Sequence, residues 1–317
     1  MPLKKANEDF LSALVAPAQR ALQGKGINTV QKLSKFSEAE IMKLHGMGPS
    51  TLPKLKAALK NAGLNFKDGK TSTKPSKETF GLTAKNFIEQ LQKLQSDKEK
   101  EKLQRYFKTN EGDYGAGDEF MGVKMGSLFK LAIESRGMPI GEIEKLLESK
   151  IHEVRAGAVS IMDKESRYPK TTPERRKEFY DLYMRRHDRI NNWDLCDLGC
   201  LHMIGCHLYD KDRKALYKMA KSKVIWERRT AILGTCYFIR QGEVDDTFKI
   251  GELLLKDKED LIHKATGWML RFAGAKDQKR LLALLDKHAA TMPRTLLRSC
   301  IEGLSKKQRE YYMQLKG

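Results

Sequence analysis

The chain has no apolar run of roughly 18 residues or more, so no segment is long enough to cross a bilayer as a helix. Its start, MPLKKANEDF, has no apolar stretch behind the lysines, and no secretory signal is visible. Cysteine is scarce, 5 in 317 residues at irregular spacing, which argues against a disulfide scaffold. There is no CxxC knuckle, and the glycine-rich EGDYGAGDE stretch carries neither the GK[ST] of a phosphate loop nor EF-hand spacing. Proline is missing between Glu174 and Met292, and no strand-like alternation of useful length occurs. Acid is in deficit as well: 41 Asp+Glu stand against 60 Lys+Arg, for a net charge of +19.

That imbalance calls for a polyanionic partner, nucleic acid or an acidic membrane face, beside the plainer reading of a merely soluble protein. With 40% apolar and 32% charged residues the chain can bury a core and is not disordered by composition. A cytoplasmic, nucleoid-associated protein is the expectation. The charge is uneven: residues 1–67 hold 11 Lys+Arg and 4 Asp+Glu, a net +7, which leaves +12 for the other 250 residues.

The chain reads as all-α in three parts. Residues 1–67 form a small helical module, with Ser37 and Glu40 spaced as a capping box. Residues 68–81, with DGKTSTKPSKETF, read as a flexible linker. From 82 to 317 apolar spacing is helical nearly throughout, interrupted by loops at 111–119 (EGDYGAGDE) and 163–172 (DKESRYPKTT). Five segments of this part resemble one another: HEVRAGAV from His152, NWDLCDLG from Asn192, WERRTAIL from Trp226, IHKATGWM from Ile262 and PRTLLRSC from Pro293. Their starts lie 40, 34, 36 and 31 residues apart, with another helix between each two, a helix-pair period close to HEAT or TPR units. Such pairs stack into a curved solenoid whose second helices line the concave face, so the chemistry is expected on these five segments.

Within the first module, Gly46-Met47-Gly48-Pro49 between two helices is a helix-hairpin-helix signature. Gly46 and Gly48 permit a tight turn with outward N–H groups, a combination that captures a DNA phosphate without reading sequence. Lys54 and Lys56 follow where they add attraction; a purely structural turn is the alternative. Trp193 and Asp197, four apart, share one helix face. A carboxylate on the wall of a cationic groove repels the phosphates the groove attracts, so it either does chemistry or pairs with an arginine across repeats. Asp194 is expected to be solvated. Arg228 and Arg229 can clamp a phosphate or orient a carboxylate. Trp226 reads as core, whereas Trp193 and Trp268 could offer their faces to a cation or sugar. Arg155, Lys264, Arg271, Arg294 and Arg298 extend a phosphate track, and Arg189 with Asn191 and Asn192 could cap the Trp193 helix. Cys196, Cys200 and His207 could share a face, but three ligands from one helix rarely close a zinc site, and packed core cysteines are the better reading. Neither a metal nor a cofactor is expected.

Taken together, RYFKTNEGDYGAGDEFMGVKM, ESKIHEVRAGAV, RINNWDLCDLG, SKVIWERRTAIL, KATGWMLR and MPRTLLRSCIEGL resemble the DNA alkylation repair family of HEAT-like repeat DNA glycosylases, the AlkD type. The resemblance runs from about Lys85 to the C-terminus. It implies a HEAT-like α-solenoid and an active site formed by the W-x-x-x-D pair, the W-x-x-R arginine and the tryptophan of K-A-x-G-W, here Trp193, Asp197, Arg229 and Trp268. It also implies a groove tyrosine at Tyr106. The activity implied is release of cationic N3- or N7-alkylated purines from double-stranded DNA by a monomer without cofactor, the lesion-bearing backbone gripped without a base pocket. In that picture Asp197 stabilises the sugar cation and Arg229 holds a phosphate. The first module resembles the helix-hairpin-helix domain at the C-terminus of the bacterial RNA polymerase alpha subunit. A non-catalytic DNA-binding or architectural protein and a protein-binding solenoid are the other readings; the full residue set favours the enzyme and the charge disfavours the last.

Overall fold

The computed structural model describes residues 10–48, 51–67 and 81–315. It falls into two compact units, residues 1–80 and 81–317. In the first unit α1 (Ala16–Gly24), α2 (Val30–Leu33), α3 (Glu38–Met42) and α4 (Thr51–Asn61) enclose a small core that includes Leu22, Ile27, Leu33, Ile41, Leu55 and Leu59. Ser37 and Glu40 form the reciprocal capping box that opens α3. Gly46 has φ +97°, and a Cβ there would sit 2.9 Å from the Pro17 carbonyl oxygen, so both conformation and close approach require glycine. Pro49 of the hairpin signature and linker residues 68–80 lie outside the described residues.

The second unit is a stack of helices: α5 (Ala84–Gln92), α6 (Asp97–Phe107), α7 (Met125–Glu134), α8 (Ile140–Leu147), α9 (His152–Ser166), α10 (Pro173–Arg185), α11 (Trp193–Gly199), α12 (Cys206–Leu208), α13 (Lys214–Ala220), α14 (Ile225–Gly234), α15 (Cys236–Arg240), α16 (Asp245–Leu254), α17 (Asp260–Gly274), α18 (Gln278–His288), α19 (Arg294–Ile301) and α20 (Lys306–Gln314). A π turn, Cys200–Gly205, joins α11 to α12. Helices α9, α11, α14, α17 and α19 are the five repeat segments, and each packs on the next to make one row. Their partners α8, α13 and α16 pack behind α9, α14 and α17. That is an α-solenoid of stacked helix pairs, and among the described residues there is no strand.

Small residues let the row close up. A Cβ on Gly267 of α17 would meet Ser299 Cβ at 2.5 Å and the Leu296 carbonyl oxygen at 2.8 Å, both on α19, so the glycine beside Trp268 sets the spacing of two row helices. One polar device recurs at the entry to the row. Arg155 Nη1 donates to Ser149 O (2.7 Å), Arg228 Nη1 to Ser222 O (3.0 Å), and His263 Nε2 lies 2.6 Å from Asp257 O. Each is the fourth residue past its helix N-cap and ties down the turn that precedes the helix. The loop expected at 163–172 is shorter than its sequence suggested, because α9 continues to Ser166. Among the described residues no helix is long and apolar enough to cross a membrane.

Candidate active site

Helix α11 begins at a cap built from side chains. Asn192 Oδ1 accepts the Trp193 N–H at 2.8 Å, which fixes the entry of the chain and so the direction of the next turn. Trp193 and Asp197 follow on one face, both half-buried. The neighbouring row helix supplies Arg229, whose Nε donates to Asp197 Oδ1 at 2.9 Å and Nη2 to Oδ2 at 3.0 Å, a bidentate fork. Its remaining nitrogen, Nη1, donates to Leu261 O at 2.7 Å in the first turn of α17. The Arg229 side chain is 6% exposed and that of Asp197 26%, so the guanidinium is enclosed while the carboxylate keeps an open edge. Burial pushes the Asp197 carboxyl above the usual carboxylate range, against the pull of Arg229.

The expectation that Arg229 holds a phosphate is corrected by this geometry. All three of its nitrogens are committed inside the protein, and what it does is orient a carboxylate. The arginine-paired alternative for Asp197 is therefore realised, and it coexists with an accessible oxygen edge.

Aromatic rings surround the Trp193 indole. Phe107 stacks on it (centroids 5.4 Å, planes 18°), and Tyr106, 64% exposed, meets it edge-on at 5.7 Å. Tyr114 of the 111–119 loop meets Trp226 edge-on at 6.4 Å, and Trp226 is core. Trp268 lies half-buried on α17, edge-on to Phe272 at 5.6 Å, one turn past Lys264. Asp197, Arg229, Lys264 and Arg298 occupy one register, the fifth residue past the N-caps of α11, α14, α17 and α19. They thus follow one another along the same face of the row.

Several candidate cations fall elsewhere. Arg155 is buried, with Nη2 on Asp118 Oδ1, and Arg228 is forked onto Asp257 (2.6 and 3.3 Å); both stabilise the repeat and neither presents a free guanidinium. Arg271 is ion-paired with Glu302, and the exposed Arg294 donates to Met313 O. Lys264 pairs with Asp260 at 2.6 Å, with both side chains more than half exposed, so water and a phosphate can compete for it. Arg298 is exposed. In the first unit Lys54 donates to Ala13 O (2.8 Å), Lys56 pairs with Glu38 (2.7 Å), and Gly48 has open space at its Cβ position. Arg189 does not cap α11; it donates to the carbonyls of Leu147, Glu148 and Ser149 at the end of α8. Cys196 and Cys200 are buried free thiols, Cys196 pushed up by burial to about 12, and His207 stacks on Tyr180 at 4.1 Å.

The expectation that Asp194 is solvated fails outright, because it belongs to a buried polar network behind the site. His152 Nε2 contacts Asp194 Oδ2 (2.8 Å), and His152 Nδ1 contacts Asp118 Oδ2 (3.2 Å). Asp118 also accepts from Arg155 (2.5 Å), Asn191 (3.0 Å) and Asn192 (3.2 Å). The glycine-rich 111–119 loop thus exists to deliver one carboxylate into the repeat stack. Sequence reasoning missed this cluster; its one local signal is a histidine at the start of a repeat helix whose middle, residues 156–159, is small and apolar.

A family model described as DNA alkylation repair enzyme matches residues 87–304, more than two thirds of the chain. The chain belongs to that family, and its role lies in the repair of alkylated DNA. No curated protein matches it closely enough to narrow this further.

Proposed function

We propose that the chain is an AlkD-type monofunctional DNA glycosylase that hydrolyses the N-glycosidic bond of cationic N3- or N7-alkylated purines in duplex DNA and leaves an abasic site. The observation that carries this is Asp197, a carboxylate with one open edge, oriented by a buried arginine and flanked on its helix by Trp193. An alkylated purine with a formal positive charge is already a good leaving group, so no general acid is needed. Bond cleavage places positive charge on the deoxyribose, and the Asp197 carboxylate stabilises it and positions the attacking water. Trp193 and Trp268 offer ring faces to the same developing cation. Tyr106 beside Trp193, with Lys264 and Arg298 further along the row, grips the backbone. Residues 1–67, joined through 68–81 to the 82–317 repeat domain, add a helix-hairpin-helix phosphate contact through Gly46, Gly48, Lys54 and Lys56.

The test is incubation with duplex DNA carrying 7-methylguanine. Wild-type protein releases free base, and Asp197→Asn lowers release by roughly a hundredfold or more while DNA binding stays largely intact. No release by the wild type would sink the enzyme reading and leave the non-catalytic DNA-binding protein, which the Asp197–Arg229 pair also suits as a purely structural contact. Borohydride is expected to trap no protein–DNA adduct, since no lysine nucleophile enters the chemistry. Deleting residues 1–70 is expected to weaken DNA binding and flatten its salt dependence; unchanged affinity and slope would remove the hairpin from the interface.

A further inference from the structure

Both ring nitrogens of His152 face carboxylate oxygens, Asp118 at 3.2 Å and Asp194 at 2.8 Å. A neutral imidazole would turn a lone pair toward one of them, so the geometry demands that both nitrogens carry protons. The charge count agrees: two carboxylates, Asp118 and Asp194, face two cations, Arg155 and His152. Asn191 and Asn192 add only neutral donors. The imidazolium is also the base of an aromatic column. His152 stacks on Phe120 (5.0 Å, 25°) and lies 4.7 Å from Phe107, which in turn stacks on Trp193. Asp194 stands in the first turn of α11, one residue from Trp193, and its Oδ1 accepts the Leu195 N–H at 2.9 Å. One protonated ring therefore ties together the 111–119 loop, the end of α6 and the start of α11.

We propose that His152, as an imidazolium, is a positioning residue that sets the Trp193 indole, through Asp194 on one side and the Phe107–Phe120 column on the other. The role rests on the proposed function of Trp193 as a groove aromatic, but the placement itself does not require DNA. Losing the proton leaves a carboxylate facing a lone pair, and the start of α11 and the end of α6 relax together. Burial alone would drive the proton off; Asp194 and Asp118 hold the imidazolium instead up to about 9. Nearby, Glu153 on the same helix is bonded to the Met121, Gly122 and Val123 N–H groups, and Arg155 and Asn192 reach Asp118. Around Trp193 itself stand Tyr106, Tyr114 and Asp197; burial holds the Tyr114 hydroxyl above its ordinary value, away from this transition.

The test uses the full chain labelled with 5-fluorotryptophan, whose three resonances are assigned by Trp193→Phe, Trp226→Phe and Trp268→Phe variants. Titrated from about pH 6 to about pH 10, the Trp193 resonance is expected to move with a midpoint near the His152 value. Asp194→Asn, which keeps an acceptor for His152 but removes a charge, lowers that midpoint by about one pH unit or more. Phe107→Leu removes the stacked ring and shrinks the movement. Tyr106→Phe leaves the midpoint unchanged. A flat Trp193 resonance in the folded wild type, or a midpoint that ignores Asp194→Asn, overturns the proposal. In a second arm, single-turnover release of 7-methylguanine falls at least about tenfold across the same transition in the wild type. Release that continues undiminished through a full fluorine transition overturns the proposal. A fluorine transition with no release at any pH supports the placement and instead overturns the glycosylase reading.

Discussion

Asp118 and Asp197 are both enclosed carboxylates, both bonded to an arginine, and the protein treats them in opposite ways. Asp118 receives four side-chain donors, His152, Arg155, Asn191 and Asn192, two on each oxygen. Burial opposes its charge, but those partners win and hold its carboxyl down at about 2. Asp197 receives a single guanidinium, keeps an open edge, and is pushed upward by burial. The fold gains from ionising Asp118 and loses from ionising Asp197. A charge that the fold holds at its own cost, facing an opening, is where function is expected.

The largest expected effect falls on the filled site. Asp118→Ala leaves Arg155 as a buried cation without its carboxylate and His152 with Asp194 alone, and should lower unfolding free energy by about 3–5 kcal/mol, read from urea denaturation. Asp197→Asn, by contrast, keeps one acceptor for Arg229, which also retains Leu261 O, and should cost less stability, about 1–2 kcal/mol. Its effect belongs in the rate: base release should fall by roughly a hundredfold to a thousandfold, about 3 kcal/mol of barrier. Equal stability losses for the two variants would erase the distinction between them.

Titration should separate the two sites next. Asp118 contributes stability that is fully present above its unfolded value, about 4, and lost as pH falls toward about 2. His152 contributes stability present below its unfolded value, about 6.5, and lost as pH rises through about 9. The network is therefore strongest between about pH 4 and about pH 6.5, and denaturation midpoints should decline from there to about pH 10. Asp197 runs the other way: its raised carboxyl favours the fold when protonated, a contribution lost as pH rises, while its ionised form is the one that stabilises a sugar cation. The acid limb of base release should accordingly lie above the ordinary carboxylate value of about 4; a limb at or below that value would mean that Arg229 dominates.

Much of this was legible because it is local. The five row helices begin within two residues of the five repeat segments, since a polar first turn followed by small apolar residues is a helix start wherever it occurs. Spacing within one helix put Trp193 and Asp197 on a common face, and the family resemblance singled out Arg229 as a candidate. Asp118 was not, because its partners lie 34 to 74 residues away and nothing in EGDYGAGDE says which acid turns inward. Nor could the sequence separate structural cations from exposed ones. Arg155 and Arg228 stand four past their caps, where the guanidinium reaches back to the preceding turn, while the exposed Lys264 and Arg298 stand five past, a register in which Arg229, by contrast, is enclosed by its bonds to Asp197 and Leu261. One residue is about 100° on a helix, so an uncertainty of one position at the cap exchanges the two roles.

That distinction supports the smallest expected effect. Arg228→Gln breaks a fork onto a nearly buried Asp257 and frees the turn at Ser222, so it should lower stability while leaving the salt dependence of DNA binding unchanged. Lys264→Ala removes a cation already shared with Asp260 across exposed side chains; stability should move by less than about 0.5 kcal/mol. Its loss should show instead as a decrease of about one in the slope of log affinity against log salt, with a weakening similar for all DNA sequences. Arg298→Ala should behave like Lys264→Ala, because it continues the same register along α19. If Arg228→Gln reduces the slope and Lys264→Ala does not, the exposed register is not the phosphate track, and the DNA backbone runs along the turns that precede the row helices.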